Sequence, residues 1–88
     1  MNYLHKAFTG KRGDIVVVKL EKQANVKLMD GFNYQLYRNG LNYKYYGGLA
    51  KVSPAKVIVP SRGRWHAVID SDTSEETVEA SIKVIKHE

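Results

Sequence analysis

The sequence has no cysteine, which excludes a disulfide framework and any thiolate-ligated metal. Prolines number only two, Pro54 and Pro60, and no internal repeat or low-complexity tract occurs. No apolar run is long enough to span a bilayer. Met1-Asn2-Tyr3-Leu4-His5-Lys6 lacks the apolar segment of a secretory signal, so the expected location is the cytoplasm and no membrane partner is expected. A lysine or arginine tract is missing too; the closest approaches are Lys11-Arg12 and the Arg62-Gly63-Arg64 turn. Neither a Gly-x-Ser-x-Gly elbow, nor a Walker lysine, nor Rossmann glycine spacing is present.

What remains is an ordinary globular composition: 88 residues, 43% hydrophobic and 26% charged. That length is one domain. A chain this short buries only about two-thirds of the surface its unfolded form exposes, so the core has to be efficient. The net charge of +5 and pI near 9.5 permit attraction to anions, nucleic acid included.

Short strands punctuated by turns dominate the pattern. Residues 1–9 read as an edge strand and Gly10-Lys11-Arg12-Gly13-Asp14 as a turn. Ile15 to Leu20 is rich in β-branched residues and reads as a central strand, with Val16, Val18 and Leu20 on its apolar face. A polar link, Glu21-Lys22-Gln23, then leads to a strand from Asn25 to Asp30. So tight a link predicts an antiparallel hairpin between the two. Val26 and Leu28 face inward; Lys27 and Met29 take the other face. Asp30 or Asn33 caps one helical turn near 33–39, closed by Asn39-Gly40, with Phe32, Leu36 and Tyr37 on the side that tucks against the sheet. Asn42 to Tyr46 is expected to return as a strand, and Gly47-Gly48 to bend it or allow close backbone approach.

Ala55 to Val59 follows Ser53-Pro54 as another strand, and Pro60 to Gly63 forms a turn. Arg64 to Asp70 alternates, with Trp65, Ala67 and Ile69 inward and His66, Val68 and Asp70 outward. After a polar loop over 71–76, Thr77 to Ile85 alternates again with Val78, Ala80, Ile82 and Val84 inward. The period of two argues against a helix over 74–86. The tail Lys86-His87-Glu88 is expected to fray. The sum is an all-β fold: a small antiparallel β-sandwich, jelly-roll-like, of about seven strands with one short helical turn.

Taken together, Gly13-Asp14, Asn25 to Asp30, Asn33 with Tyr37 and Gly40, Tyr46-Gly47-Gly48, Ser53-Pro54 and Pro60…Gly63-Arg64-Trp65-His66 with Asp70 resemble a small bacterial family. It is catalogued only as a domain of unknown function, whose members stand alone or are fused to TIR domains. The likeness runs from about residue 3 to residue 85. The order of motifs is also similar, more distantly, to jelly-roll sandwiches of the GOLD type, which implies a fold and no function. The smaller family implies no catalytic activity, and its TIR fusions imply recognition or regulation.

Five of the six tyrosines fall within 34–46, beside a glycine pair that suits an anion-cradling nest. Tyrosine offers a stacking face and a hydroxyl at low entropic cost. The expectation is a non-catalytic recognition domain for a small anionic, nucleotide-derived ligand or a protein partner. Its candidate contact residues are Asp30, Asn33, Tyr37, Arg38, Tyr45, Tyr46, Gly47, Gly48, Arg64 and His66. Lys44 and Arg62 are further sources of charge for phosphates. Self-association and nucleic-acid binding are the alternatives, the latter from Tyr43 and Tyr45 alternating with Lys44. No cofactor or metal is expected; His66 and Asp70 stand four residues apart on one strand, roughly 13 Å, too far to chelate one ion.

Overall fold

The computed structural model describes residues 3–72 and 78–88. The polar loop expected over 71–76 and the strand start expected at Thr77 fall largely outside them. Seven strands and one helix follow in the order β1 (Tyr3–Gly10), β2 (Ile15–Leu20), β3 (Ala24–Asp30), α1 (Gly31–Arg38), β4 (Tyr46–Ala50), β5 (Ala55–Ile58), β6 (Gly63–Asp70) and β7 (Ala80–Ile85). They form two antiparallel sheets, β1-β6-β3-β4 and β5-β2-β7. The fold is the small all-β sandwich that the alternation implies.

Between the sheets lies the main core. Val16 and Val18 enter from β2, Val26 and Leu28 from β3, and Trp65, Ala67 and Ile69 from β6. Val78, Ala80, Ile82 and Val84 pack on its margin. The expected β2–β3 hairpin does not form, because the two strands belong to opposite sheets. Both strands deliver valines and a leucine to one interior from opposite sides. A period-two pattern cannot distinguish that arrangement from neighbours in one sheet.

The helix is longer than a single turn, and its ends are well terminated. Asp30 is the N-cap, its Oδ1 accepting the Asn33 backbone N–H at 2.8 Å. At the other end Gly40, with φ +71°, donates to the Tyr37 carbonyl at 3.2 Å, and Leu41 N–H donates to Leu36 at 3.0 Å. That pair of bonds is a Schellman closure, which requires the left-handed residue at Gly40. The buried face is Tyr34 and Tyr37, not Phe32 and Leu36: Phe32 is 73% exposed. The outer sheet face beneath the helix carries polar groups. Tyrosine hydroxyls find partners there and a phenylalanine ring does not.

Two further expectations change. The returning strand begins at Tyr46 rather than Asn42, and Gly47 and Gly48 pair in the ladder with Lys27 and Val26. A Cβ at Gly47 would stand 2.2 Å from the Val26 carbonyl oxygen, so the glycine allows the close approach and forms no nest. The C-terminal tail is clasped instead of frayed. The fully buried Asp14 carboxylate accepts from His87 N–H at 2.7 Å and Lys11 N–H at 3.0 Å. Lys86 Nζ reaches the Thr9 carbonyl at 2.6 Å. Those two backbone donors, His87 first, hold the Asp14 carboxyl below its ordinary range. A buried carboxylate needs donors, and the tail supplies two, the His87 N–H and, at 3.4 Å, the Lys86 ammonium.

Candidate functional site

The outer face of the four-stranded sheet, under α1 and the 41–45 segment, carries the polar chemistry. At its centre is a network around Asp70, which is buried. Asp70 Oδ2 accepts from the Tyr37 hydroxyl at 2.7 Å and from Lys27 Nζ at 3.0 Å; Oδ1 accepts from Asn25 Nδ2 at 2.9 Å. Lys27 also donates to the Tyr43 hydroxyl at 2.7 Å and lies 5.3–5.4 Å from the ring centres of Tyr37, Tyr43 and Tyr45. Burial works against the Lys27 charge. The Tyr43 and Asp70 partners outweigh it and leave the ammonium more firmly protonated than usual. Burial and the Asp70 carboxylate likewise push the Tyr37 phenol well up.

A second cluster sits where β1 meets β6. His5 Nε2 and His66 Nδ1 lie 2.8 Å apart in a hydrogen bond. The Tyr34 ring stacks on both imidazoles, with centroids at 4.2 and 4.4 Å. Its hydroxyl lies 3.2 Å from that of Tyr3, and burial with this contact pushes its pKa up to about 12. The Arg38 guanidinium stands 5.7 Å from the Tyr34 ring centre. Burial first, and then Arg38 and Arg64, hold His5 below its ordinary value. Burial, His5 and Arg64 do the same to His66, against an opposing pull from Asp30.

The third feature is a groove of about 680 Å³ beside the start of α1. Met29, Asp30, Asn33, Tyr43, Lys44, Tyr45, Tyr46, Ser61 and Trp65 line it. Its frame is fixed. Asn33 Nδ2 donates to Asp30 at 2.9 Å, and Asn33 Oδ1 accepts the Lys44 backbone N–H at 2.8 Å. Trp65 Nε1 donates to the Ser61 carbonyl at 2.9 Å, and Tyr46 meets the Trp65 ring edge-on at 6.0 Å. Tyr45 and Tyr46 remain about half exposed. A second groove of about 570 Å³, which includes Lys27, Asp70 and Asp72 in its lining, shares Tyr43 with the first.

Residues 1–88 match the family described as a domain of unknown function, DUF1883. The chain belongs to that family. No curated protein and no solved structure matches it significantly.

In this DUF1883 domain the ten expected contact residues divide into four groups. Asp30, Asn33, Tyr45 and Tyr46 come together at the larger groove with Lys44. Arg38, Arg64 and His66 gather instead at the imidazole pair. Tyr37 is buried beneath the helix, its hydroxyl committed to Asp70. Gly47 and Gly48 are ladder residues. Sequence reasoning missed His5, Asn25 and Lys27 as members of these clusters. The signal was present in part, because alternation puts Lys27, His66 and Asp70 on outward faces. Only the β1-β6-β3 pairing turns three outward faces into one. Among the described residues no three His, Cys, Asp or Glu side chains converge as metal ligands, and no helix is long and apolar enough to cross a membrane.

Proposed function

We propose that this domain is a non-catalytic recognition module whose groove takes a nucleotide-sized ligand combining a flat ring with a negative charge. The observation that carries it is the pairing of half-exposed Tyr45 and Tyr46 with Lys44, on a frame tied by hydrogen bonds from Asn33 and Trp65. Among the described residues the Lys44 ammonium has no carboxylate partner. The volume lies in the range of small-molecule sites, about 300–1,000 Å³. The rings offer stacking surface and the lysine a counter-charge. The Asp70 network speaks for binding over proton transfer: Lys27 and Tyr37 are both held protonated, far from the poise a general base needs near neutral pH. The fusion of relatives to TIR domains, implied by the resemblance above, fits the same role.

Trp65 lines the groove and is the single tryptophan, so its fluorescence reports occupancy. Titration with adenine and nicotinamide nucleotides should quench it saturably, and Lys44→Glu should weaken binding about tenfold, the loss of one charge-assisted contact. Unchanged fluorescence and no thermal stabilisation at about millimolar ligand would remove the small-ligand reading.

One surface favours a second reading, self-association. On the outer face of β5-β2-β7 the register aligns Ile58, Ile15 and Ile85 in one row, with Ile58 63% exposed. The next row is Lys56, Val17 and Lys83. Two copies related by a two-fold axis through Ile15 would stack isoleucine on isoleucine and carry the lysine rows to opposite sides. Sedimentation at high concentration tests this, with Ile58→Lys expected to abolish any dimer. A strict monomer ends it.

A further inference from the structure

We infer that His5, His66, Arg38 and Arg64 form a second binding site, separate from the groove, for a tetrahedral dianion such as a phosphate group, loaded together with a proton. None of the four lines the groove. The two imidazoles share a hydrogen bond. In the neutral pair one ring donates and the other accepts, which leaves a single N–H directed elsewhere. One added proton keeps the bridge, creates a second free N–H and places a positive charge on the pair. A further proton would set two N–H groups head to head and break the bridge, so the pair accepts one proton as a unit.

The surroundings are positively charged. From β1 comes His5; from β6, Arg64 and His66; from α1, Tyr34 and Arg38; and at the end of β3 stands Asp30. Arg64 and His66 point to the same side of β6, about 7 Å apart along the strand. Opposite them on β1 are Thr9 and Ala7, so no bulky side chain from that strand stands across from them. Tyr34 carries no charge near neutrality, its phenol being pushed up to about 12. Asp30 is the one acid, and its Oδ1 already accepts two hydrogen bonds from Asn33. Among the described residues neither arginine has a carboxylate partner at ion-pair distance. His5, Arg38 and Arg64 are exposed and His66 is half-buried, so each of the four is accessible from solvent.

Charge balance then supplies the coupling. Both arginines help to keep His5 neutral, and Arg64 does the same for His66. A bound dianion cancels their field and favours protonation of the pair. By linkage, protonation favours the dianion to the same extent. The Tyr34 face over both rings further favours a charged imidazole.

Sulfate is the appropriate probe because its charge does not change across the range. The full chain is titrated with sodium sulfate at constant ionic strength, and the ring-proton NMR signals of the three histidines are followed. Sulfate should move the His5 and His66 signals and leave His87 in place. Its affinity should be about tenfold tighter near pH 5.5 than near pH 7.5, as expected when binding draws in on average about half a proton across that range. Arg38→Gln and Arg64→Gln, both at exposed positions, should each weaken it several-fold at the lower pH. Equal affinity at both pH values, movement of His87 alone, or indifference to the double arginine variant would each overturn the site. Inorganic phosphate and adenosine 5′-phosphate, compared at the lower pH by the affinity of the dianion of each, identify the source of the group. Equal binding assigns the free anion, and tighter binding of the ester assigns a phosphate monoester. Trp65 fluorescence reads the groove independently, so failure at one site leaves the other standing.

Discussion

The two faces of the four-stranded sheet are built from alternate residues of the same strands, and they are held by different physics. Inward, Val26 and Leu28 of β3 meet Trp65, Ala67 and Ile69 of β6 in an apolar layer. Outward, one residue along, Asn25 and Lys27 meet Asp70 in a polar layer roofed by tyrosines. The apolar layer is non-directional, so its members contribute roughly in proportion to the area they bury. In the polar layer each group is tolerable only because a specific partner is present. That demand for one geometry holds α1 and the 41–45 segment in place. The groove and the imidazole pair are consequences of the polar layer; the core alone would specify neither.

The sharpest test of this contrast removes one partner from the outer layer. Lys27→Met should cost about 3–5 kcal/mol by urea unfolding, because it strips a buried carboxylate of its counter-charge. Adding Asp70→Asn to it should recover part of that loss. If the double variant is no more stable than the single one, the outer layer is not partner-dependent. On the inner face Leu28→Ala should cost about 3 kcal/mol, from lost transfer energy and the cavity left behind. That loss should simply add to a distant change. Smaller still is Tyr37→Phe, at about 2 kcal/mol for one hydrogen bond to a charged group. A null effect there would mean that Asp70 finds another donor. Asp30→Ala, which removes the N-cap of α1, should cost about 1 kcal/mol and broaden the resonances of Asn33 and Lys44 before those of the core.

The faintest expected difference is a pH dependence confined to the outer layer. His5 and His66 both titrate below the ordinary value of 6.5 in the folded chain. Between the folded and unfolded values the unfolded chain binds more protons, so stability falls as pH drops through about 6.5 and below. This contribution is complete above that pH. The unfolding midpoint should therefore decline from about pH 7 to about pH 5, before carboxylates begin to titrate. His66→Gln should flatten the decline, whereas Leu28→Ala should lower the whole curve without changing its slope.

Several parts of this arrangement were legible in the chain. Alternation assigned Trp65 to Asp70 of β6 to their faces, and Asp30, with Asn33 as the other N-cap candidate, and Asn39-Gly40 bracketed the helix. Which helical residues turn inward was not legible. Phe32 and Leu36 have the stronger hydrophobic claim, but the surface beneath sets buried Met29 and Val68 beside Asp70, and it selects Tyr34 and Tyr37, whose rings bury while their hydroxyls find partners. The structure brings only some of the expected contact residues together, for a related reason. Asp30, Asn33, Tyr45 and Tyr46 are close in sequence, and local hydrogen bonds tie Asp30, Asn33 and the Lys44 backbone, whereas His5 and His66 are 61 residues apart and meet only through strand pairing.

By itself, then, the sequence determined where most strands run, which of their side chains face inward, near which residues the helix is capped and where a glycine is needed. Those are consequences of steric preference and a period of two, both local. Tertiary structure alone decided that β2 and β3 lie in opposite sheets, that the tail closes on Asp14, and that Lys27, Asp70, Tyr37 and the two histidines share one face. Those outcomes depend on which strands become neighbours. Several alternating strands present equivalent apolar faces, and only the joint satisfaction of buried charges and hydroxyls singles out one arrangement of them.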